Sequence, residues 1–196
     1  MEVPIGNDPA GRPLAGGPLT RGFRLSIAHK DRIAVALAHP SLPVGIDVEP
    51  VASDPDALIR IALGPDELRL AERLAAHDAT GLPAALTALW CAKEAAAKAE
   101  GSGLGGRPRD WRVTEDPDTG ALLVKSPDGH PYPIRTTPLT LTPLGTPLTT
   151  TPLTSTPLTR TAPADVPPLD HVVAWTAHPA APSPVPFHLT ETRHGT

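Results

Sequence analysis

The chain has 196 residues, enough for one ordinary domain with tails, and it is 40% hydrophobic, which is sufficient for a buried core. A net charge of -4 without a long basic block argues against nucleic-acid binding by phosphate neutralisation. The single cysteine, Cys91, excludes an internal disulfide, and no Cys/His cluster has zinc-ligand spacing. The sequence shows neither a secretory signal pattern nor an apolar run of membrane-spanning length, so we expect a cytoplasmic protein.

The first predicted elements are a lead-in, a hairpin and a third strand. Residues 1–22 are rich in glycine and proline and predict an extended lead-in with turns. Phe23–Ala28 and Ile33–Ala38 are apolar runs that flank a polar turn, a pattern typical of a β-hairpin. Val44–Glu49 predicts another short strand, which ends at Pro50.

Three helices are predicted next. Asp56–Leu63 is a short helical segment, and Pro65 suits the first turn of a second helix that runs to about His77. The Ala-rich run Ala84–Glu100 predicts the longest helix, which stops at Gly101 because glycine readily adopts the left-handed conformation of a helix C-cap. Four short strands are expected after it: Asp110–Thr114, Ala121–Lys125, Tyr132–Arg135 and His171–Ala177.

A proline-rich segment lies between the last two predicted strands. Residues 137–163 hold five Thr-Pro-Leu units, which begin at Thr137, Thr142, Thr146, Thr151 and Thr156. Proline at this density blocks helix and removes the donors of a strand ladder, so the segment predicts a disordered insertion. Either neutral repeat expansion or a spacing or recognition role accounts for it. The Pro-rich residues 179–196 predict a loose tail.

Two acids on the third predicted strand are candidate metal ligands. Asp47 and Glu49 are two residues apart, so both side chains point to one face of the strand. Two neighbouring carboxylates repel each other unless a cation lies between them, and oxygen ligands suit Mg2+. The alternative is that both acids face solvent on a half-buried strand.

A second group of candidates lies on the longest predicted helix. Trp90, Glu94 and Lys98 are spaced by four residues and share one helix face. A carboxylate and an ammonium group on one face suit a metal–pyrophosphate site, because the first binds metal or takes a proton and the second pairs with phosphate. The alternative is an ordinary Glu94–Lys98 ion pair over a packed tryptophan.

Two basic residues near the N-terminus are candidates for binding phosphate. His29 lies where the first hairpin strand meets its turn, and its imidazole can hydrogen-bond an anion. Arg12 lies in a Gly-Arg-Pro turn and offers a guanidinium to the same kind of ligand. Each residue is a weak indication by itself, since surface histidines and arginines are common.

Taken together, these segments closely resemble the 4'-phosphopantetheinyl transferase superfamily, of the kind that activates polyketide and non-ribosomal peptide synthases. They are G-R-P at 11–13, S-I-A-H at 26–29, V-G-I-D-V-E at 44–49 and L-W-C-A-K-E-A-A-A-K at 89–98. The specific part of the resemblance is the acidic strand segment at 44–49 followed by the helix segment at 89–98. The resemblance covers roughly residues 5–113 and 171–177 and leaves the Thr-Pro-Leu segment outside.

The resemblance implies a role for each matching residue. It implies that Asp47, Glu49 and Glu94 hold Mg2+ on the pyrophosphate of coenzyme A, and that Glu94 is also the base that deprotonates the acceptor serine. It implies that Lys98 neutralises phosphate charge. It implies further that His29 binds a coenzyme A phosphate.

Arg12 is implied to contact the nucleotide end of coenzyme A. The chain departs from the family at Lys30, where many members carry a second serine after the histidine. Cys91, beside Trp90, is expected to be a small packing residue without a catalytic part.

The fold implied is α+β, a 4'-phosphopantetheinyl transferase-like module with a mainly antiparallel sheet packed on one long and two short helices. Its domain is expected to comprise residues 23–136 and 164–178. Larger members have two similar halves with the site between them. This chain matches only the closing hairpin of a first half and a complete second half, so homo-oligomerisation is an expectation.

The function implied is transfer of 4'-phosphopantetheine from coenzyme A, with Mg2+, to a serine of an apo acyl or peptidyl carrier protein, with release of 3',5'-ADP. Such holo-carrier protein synthases serve polyketide and fatty acid biosynthesis. Nucleic acid and membrane are not expected partners. Two alternatives stay open: an inactive remnant that binds coenzyme A or a carrier, and a docking module of a polyketide synthase.

Overall fold

A computed structural model describes residues 3–9, 11–31, 33–77, 80–140, 171–177 and 190–191. Within these ranges the chain forms three α-helices and ten strands. The helices are α1 (Pro55–Ala62), α2 (Pro65–His77) and α3 (Gly81–Glu100). The strands are β1 (Ile5–Asn7), β2 (Pro13–Ala15), β3 (Arg24–Lys30), β4 (Ile33–His39), β5 (Val44–Pro50), β6 (Arg112–Glu115), β7 (Leu122–Lys125), β8 (Pro131–Leu139), β9 (His171–Ala177) and β10 (Thr190–Glu191).

All strand pairs described are antiparallel, and they form three sheets. The main sheet has the order β5-β9-β8-β7-β6, a second has the order β10-β4-β3, and β1 pairs with β2. Strand β5 pairs with β9 over its whole length, from Val44 opposite Ala177 to Pro50 opposite His171. The α+β class and the mainly antiparallel sheet are therefore confirmed.

The main sheet separates two apolar cores, because successive side chains of a strand point to opposite faces. On one face, the helices pack against the sheet around Leu89, Trp111 and Val124. On the other face, the β3–β4 hairpin covers β5 and β9 with Val35 and Leu37 among its buried residues. Strand β5 lies between the two layers, so both of its faces are covered.

Gly45 allows β5 to lie directly against α3. A Cβ at residue 45 would overlap the carbonyl oxygen of Ala95 and lie 2.7 Å from the amide nitrogen of Ala99. Both atoms belong to the helix backbone, which cannot rotate away as a flexible side chain can. The glycine at the start of the acidic strand therefore sets the strand-to-helix distance.

We expect Gly45→Ala to lower the free energy of unfolding by about 3 kcal/mol, at the upper end of the usual cost of overpacking. The methyl group can be accommodated only if β5 moves away from the helix. Urea denaturation followed by circular dichroism measures the loss. Gly6→Ala is the matched control, because a Cβ at residue 6 meets no atom within 4 Å; equal stability of the two variants would contradict the close packing.

The structure departs from the predicted elements at several places, and the strand expected from Asp110 begins only at Arg112, after a short 3-10 turn. The lead-in contains the β1–β2 hairpin, and α3 begins at Gly81 because Pro83 is accepted in a first helical turn. Strand β8 continues to Leu139, beyond the predicted start of the insertion at Thr137. Pro138 fits there because β8 pairs only with β9 beyond Ile134, so one edge of the strand needs no donor.

The remaining predictions about the insertion fall on residues 141–163, outside the described residues. The same holds for 164–170 of the predicted domain and for the tail, apart from β10. Strand β10 pairs with β4, with Glu191 opposite Ile33. In the part of the chain that the structure describes, no helix is long and apolar enough to cross a membrane.

Candidate active site

The close packing of β5 on α3 brings Asp47 to Lys98. Asp47 is only 5% exposed, and its Oδ1 accepts a hydrogen bond from Lys98 Nζ at 2.7 Å. The same ammonium donates to the backbone oxygen of Ile46 at 3.2 Å. The lysine therefore neutralises the strand acid across the interface, and the predicted alternative in which both strand acids face solvent is wrong for Asp47.

The second carboxylate oxygen of Asp47 has no such partner. Oδ2 is buried and has no nitrogen or oxygen donor within the described residues, and the neighbouring Cys91 thiol is only a weak donor. A buried carboxylate oxygen without a partner is costly, because it has lost its hydration without compensation. Such an atom is suited to receive a cation or a donor from a bound ligand.

Glu94 lies one helical turn before Lys98 and forms neither a hydrogen bond nor an ion pair with the residues that the structure describes. Its burial raises the pKa of its carboxyl, the charge of Asp47 raises it further, and Lys98 opposes the shift. Glu49 also contributes to the rise, so the three acids share one electrostatic environment. A carboxylate with a raised pKa and a free oxygen is equipped to take a proton.

Glu49 is paired with a lysine that the sequence reasoning did not assign to the site. Lys30 Nζ lies 3.1 Å from Glu49 Oε2, and this hydrogen bond raises the pKa of Lys30. Lys30 lies on the same face of β3 as the buried Ser26, whose hydroxyl accepts a hydrogen bond from the amide of Ile46. Strand alternation was the available signal, since residues 26 and 30 share a face.

His29 and Arg12 stay predictions. The alternation that directs Lys30 toward Glu49 puts His29 on the opposite, exposed face of β3. Arg12 pairs with Asp8 at 2.8 Å and lies against Gly101, where a Cβ would be 2.5 Å from its Nη1. The guanidinium is thus at the C-terminal end of the helix that carries Lys98.

Lys93, the neighbour of Glu94, is a buried structural residue. Its side chain is 0% exposed, and Nζ lies 2.9 Å from both carboxylate oxygens of Glu67. It also donates to the backbone oxygens of Ala62 at 2.6 Å and Pro108 at 3.1 Å. The sequence reasoning gave Lys93 no role, although its position four residues after Leu89 indicates the buried helix face.

Cys91 is fully buried, as its predicted packing role requires. Its thiol lies 3.5 Å from the backbone oxygen of Val172, and burial raises the pKa of the thiol well above its ordinary value. A thiol in this state is a poor nucleophile.

The chemistry of the acids fits a divalent metal with few protein ligands. The described residues contain no group of three or more His, Cys, Asp or Glu side chains that could hold a metal ion by themselves. Mg2+, however, commonly takes only one or two carboxylates and completes its shell with water and substrate phosphate. The unpartnered Asp47 Oδ2 is compatible with such a site, and the participation of Glu49 and Glu94 stays a prediction.

The family model described as 4'-phosphopantetheinyl transferase superfamily matches residues 43–146, just over half of the chain. The matched range includes β5 and α3, the two elements that carry Asp47 and Lys98. The chain therefore belongs to the 4'-phosphopantetheinyl transferase superfamily, and the expected family is confirmed. A search of curated proteins found no match.

Proposed function

We propose that this protein transfers 4'-phosphopantetheine from coenzyme A to a serine of an apo acyl or peptidyl carrier protein and releases 3',5'-ADP. Membership of the superfamily supports phosphopantetheinyl transfer in general. The observation that carries the proposal for this chain is the contact of β5 with α3. It combines a buried acid with an unpartnered oxygen, a lysine and a second acid of raised pKa on one surface.

The proposed reaction is an attack of the carrier serine Oγ on the pantetheine-side phosphorus of the coenzyme A pyrophosphate. A new oxygen–phosphorus bond forms, the bridging phosphorus–oxygen bond breaks, and 3',5'-ADP leaves with the bond's electron pair. Glu94 accepts the serine proton directly or through water, since no side chain of the described structure pairs with its carboxylate. Phosphoryl transfer gains mainly from positioning and charge stabilisation, which suits a site composed of acids and lysines.

Lys98 has the second proposed role. Its ammonium lies between α3 and β5 and is one-third exposed, at 31%. It is fixed by Asp47 and the Ile46 carbonyl, so it presents a positive charge without first having to be ordered. We propose that it pairs with the pyrophosphate in the ground state and with the developing charge on the leaving phosphate.

Asp47, Glu49 and Glu94 are the residues that would hold Mg2+. When bound, the ion supplies a positive charge that polarises the phosphoryl oxygens and offsets charge on the leaving group. The chain's own contribution is to hold the strand acids, each paired with a lysine, close to the helix. His29 is proposed to bind a phosphate of coenzyme A, and Arg12 is proposed to contact its nucleotide end.

We expect a carrier protein to gain about 340 Da, the mass of the added arm, when it is incubated with this protein, coenzyme A and Mg2+. Intact-mass spectrometry of a panel of apo carriers measures the gain. Excess EDTA should abolish it, and restored Mg2+ should recover it. If no carrier gains mass although coenzyme A binds, the chain is the inactive binding remnant rather than an enzyme.

A further inference from the structure

The two strand acids are each paired with a lysine from a different element. Lys98 of α3 binds Asp47, and Lys30 of β3 binds Glu49. Both acids lie on the same face of β5, so one lysine reaches that face from the helix and the other from the hairpin. Of the two pairs, the one at Glu49 is the more open, with 45% of Lys30 and 25% of Glu49 exposed.

Lys30 lies beside the two strand acids. Its Nζ is 3.1 Å from Glu49 Oε2, and Asp47 lies two residues from Glu49 on the same face of β5. A divalent cation that binds these carboxylates needs the same oxygen of Glu49, so it competes with the ammonium of Lys30.

We propose that Lys30 is a positioning residue that competes with the divalent cation for Glu49 and, once displaced from it, attracts the anionic coenzyme A. The proposal rests on the proposed function and adds a determinant of metal and substrate affinity to it. In the metal-free site, Lys30 stabilises Glu49 as an ammonium ion pair. A cation that takes Glu49 must break that pair, so the lysine lowers metal affinity.

The same charge has the opposite effect on the substrate. Without a cation, the three carboxylates and two ammonium groups carry one negative charge in excess, and a bound divalent ion would make the total positive. Without Lys30, the loaded site has no positive excess with which to attract the pyrophosphate. Removal of the lysine is therefore expected to strengthen metal binding and to weaken coenzyme A binding.

Two calorimetric titrations test the proposal. In the first, Mg2+ alone is added to the protein, and Lys30→Met should lower the Kd about 3- to 5-fold, which corresponds to a partly exposed ion pair. In the second, coenzyme A is added at saturating Mg2+, and the same variant should raise the Kd several-fold. Lys30→Arg, which keeps the charge, should restore both constants toward the wild-type values.

Lys125→Met is the matched control, because it removes the same charge from an exposed position on β7. If Lys30→Met behaves like this control in both titrations, the Lys30–Glu49 pair is only a solvated surface pair and the proposal is wrong. A parallel weakening of both ligands also overturns it, because competition requires opposite signs. The proposed function is judged separately, by mass gain on a carrier with the wild-type protein.

Discussion

Glu94→Gln is expected to lower the turnover of carrier modification by about 100- to 10,000-fold, the usual contribution of a positioned base. Glutamine has nearly the same shape but cannot accept the serine proton. The measurement is the initial rate of mass gain on a carrier at saturating coenzyme A and Mg2+. Glu72→Gln, at an exposed position of α2, is the control. A loss of less than about 10-fold would exclude Glu94 as the base.

The raised pKa of Glu94 also predicts how Glu94→Gln changes the stability of the protein. Burial and the charges of Asp47 and Glu49 disfavour the ionised carboxylate, and Lys98 only partly offsets them. A folded acid with a raised pKa binds its proton more tightly than the unfolded chain does, so it lowers stability at neutral pH, and this cost disappears as the pH falls through its folded pKa. Metal-free Glu94→Gln should therefore melt no lower than the wild type at pH 7.

Loss of folding together with loss of activity would give no support to a catalytic role, so the melting temperature must accompany the rate. Titration of the metal-free protein adds an independent test. The pKa of the Glu94 carboxyl, measured by NMR, should lie above the ordinary 4.5 of a glutamate. The direction follows from the burial of the carboxyl and from the neighbouring negative charges.

Lys93→Met is expected to lower the free energy of unfolding by about 3 to 5 kcal/mol, the usual cost of breaking a buried ion pair from one side. The change leaves the carboxylate of Glu67 buried without its cation. It also removes the donor to two carbonyl oxygens. One belongs to Ala62 at the end of α1, and the other belongs to Pro108 at the start of the turn before β6. Chemical denaturation of the metal-free protein measures the loss.

Glu67 makes the effect large because it links several elements. Its Oε2 accepts a hydrogen bond from the amide of Gly64 at 2.7 Å, and Oε1 accepts one from Val113 at 2.8 Å. The first contact is typical of a third-position glutamate that satisfies the amide at a helix start. Lys93 thus connects α3 through one carboxylate to α2 and β6.

The double variant Lys93→Met with Glu67→Gln is the appropriate comparison. The neutral amide can still accept from a backbone amide, and no unpaired charge is left in the core. The double variant should lose less free energy of unfolding than the sum of the losses of the two single variants. Additive losses would show that the lysine and the glutamate stabilise the fold independently, contrary to the geometry.

Local sequence patterns were sufficient for most elements. The β-hairpin, the acidic strand and the helix from Pro65 to His77 follow directly from apolar runs and from turn residues. The errors lie where tertiary pairing overrides propensity. Strand β8 includes Pro138 because one of its edges is unpaired there, a fact that the Thr-Pro-Leu pattern does not contain.

For the site, the sequence indicated the acids and the helix residues, because strand and helix periods group them by face. It left open whether Lys98 pairs with Glu94 or acts elsewhere. In the structure, Lys98 pairs with Asp47, which is fifty-one residues away in the chain. The contact depends on how closely β5 approaches α3, and Gly45 permits that approach.

The sequence by itself thus determined the family and the faces on which the candidate acids and lysines lie, because both depend on short-range spacing. Only the tertiary structure decided which charges are partners. It assigned Lys98 to Asp47, Lys30 to Glu49 and Lys93 to Glu67. The physical reason is that ion pairing and burial depend on distances between elements, and such distances are set by packing rather than by the period of any one element.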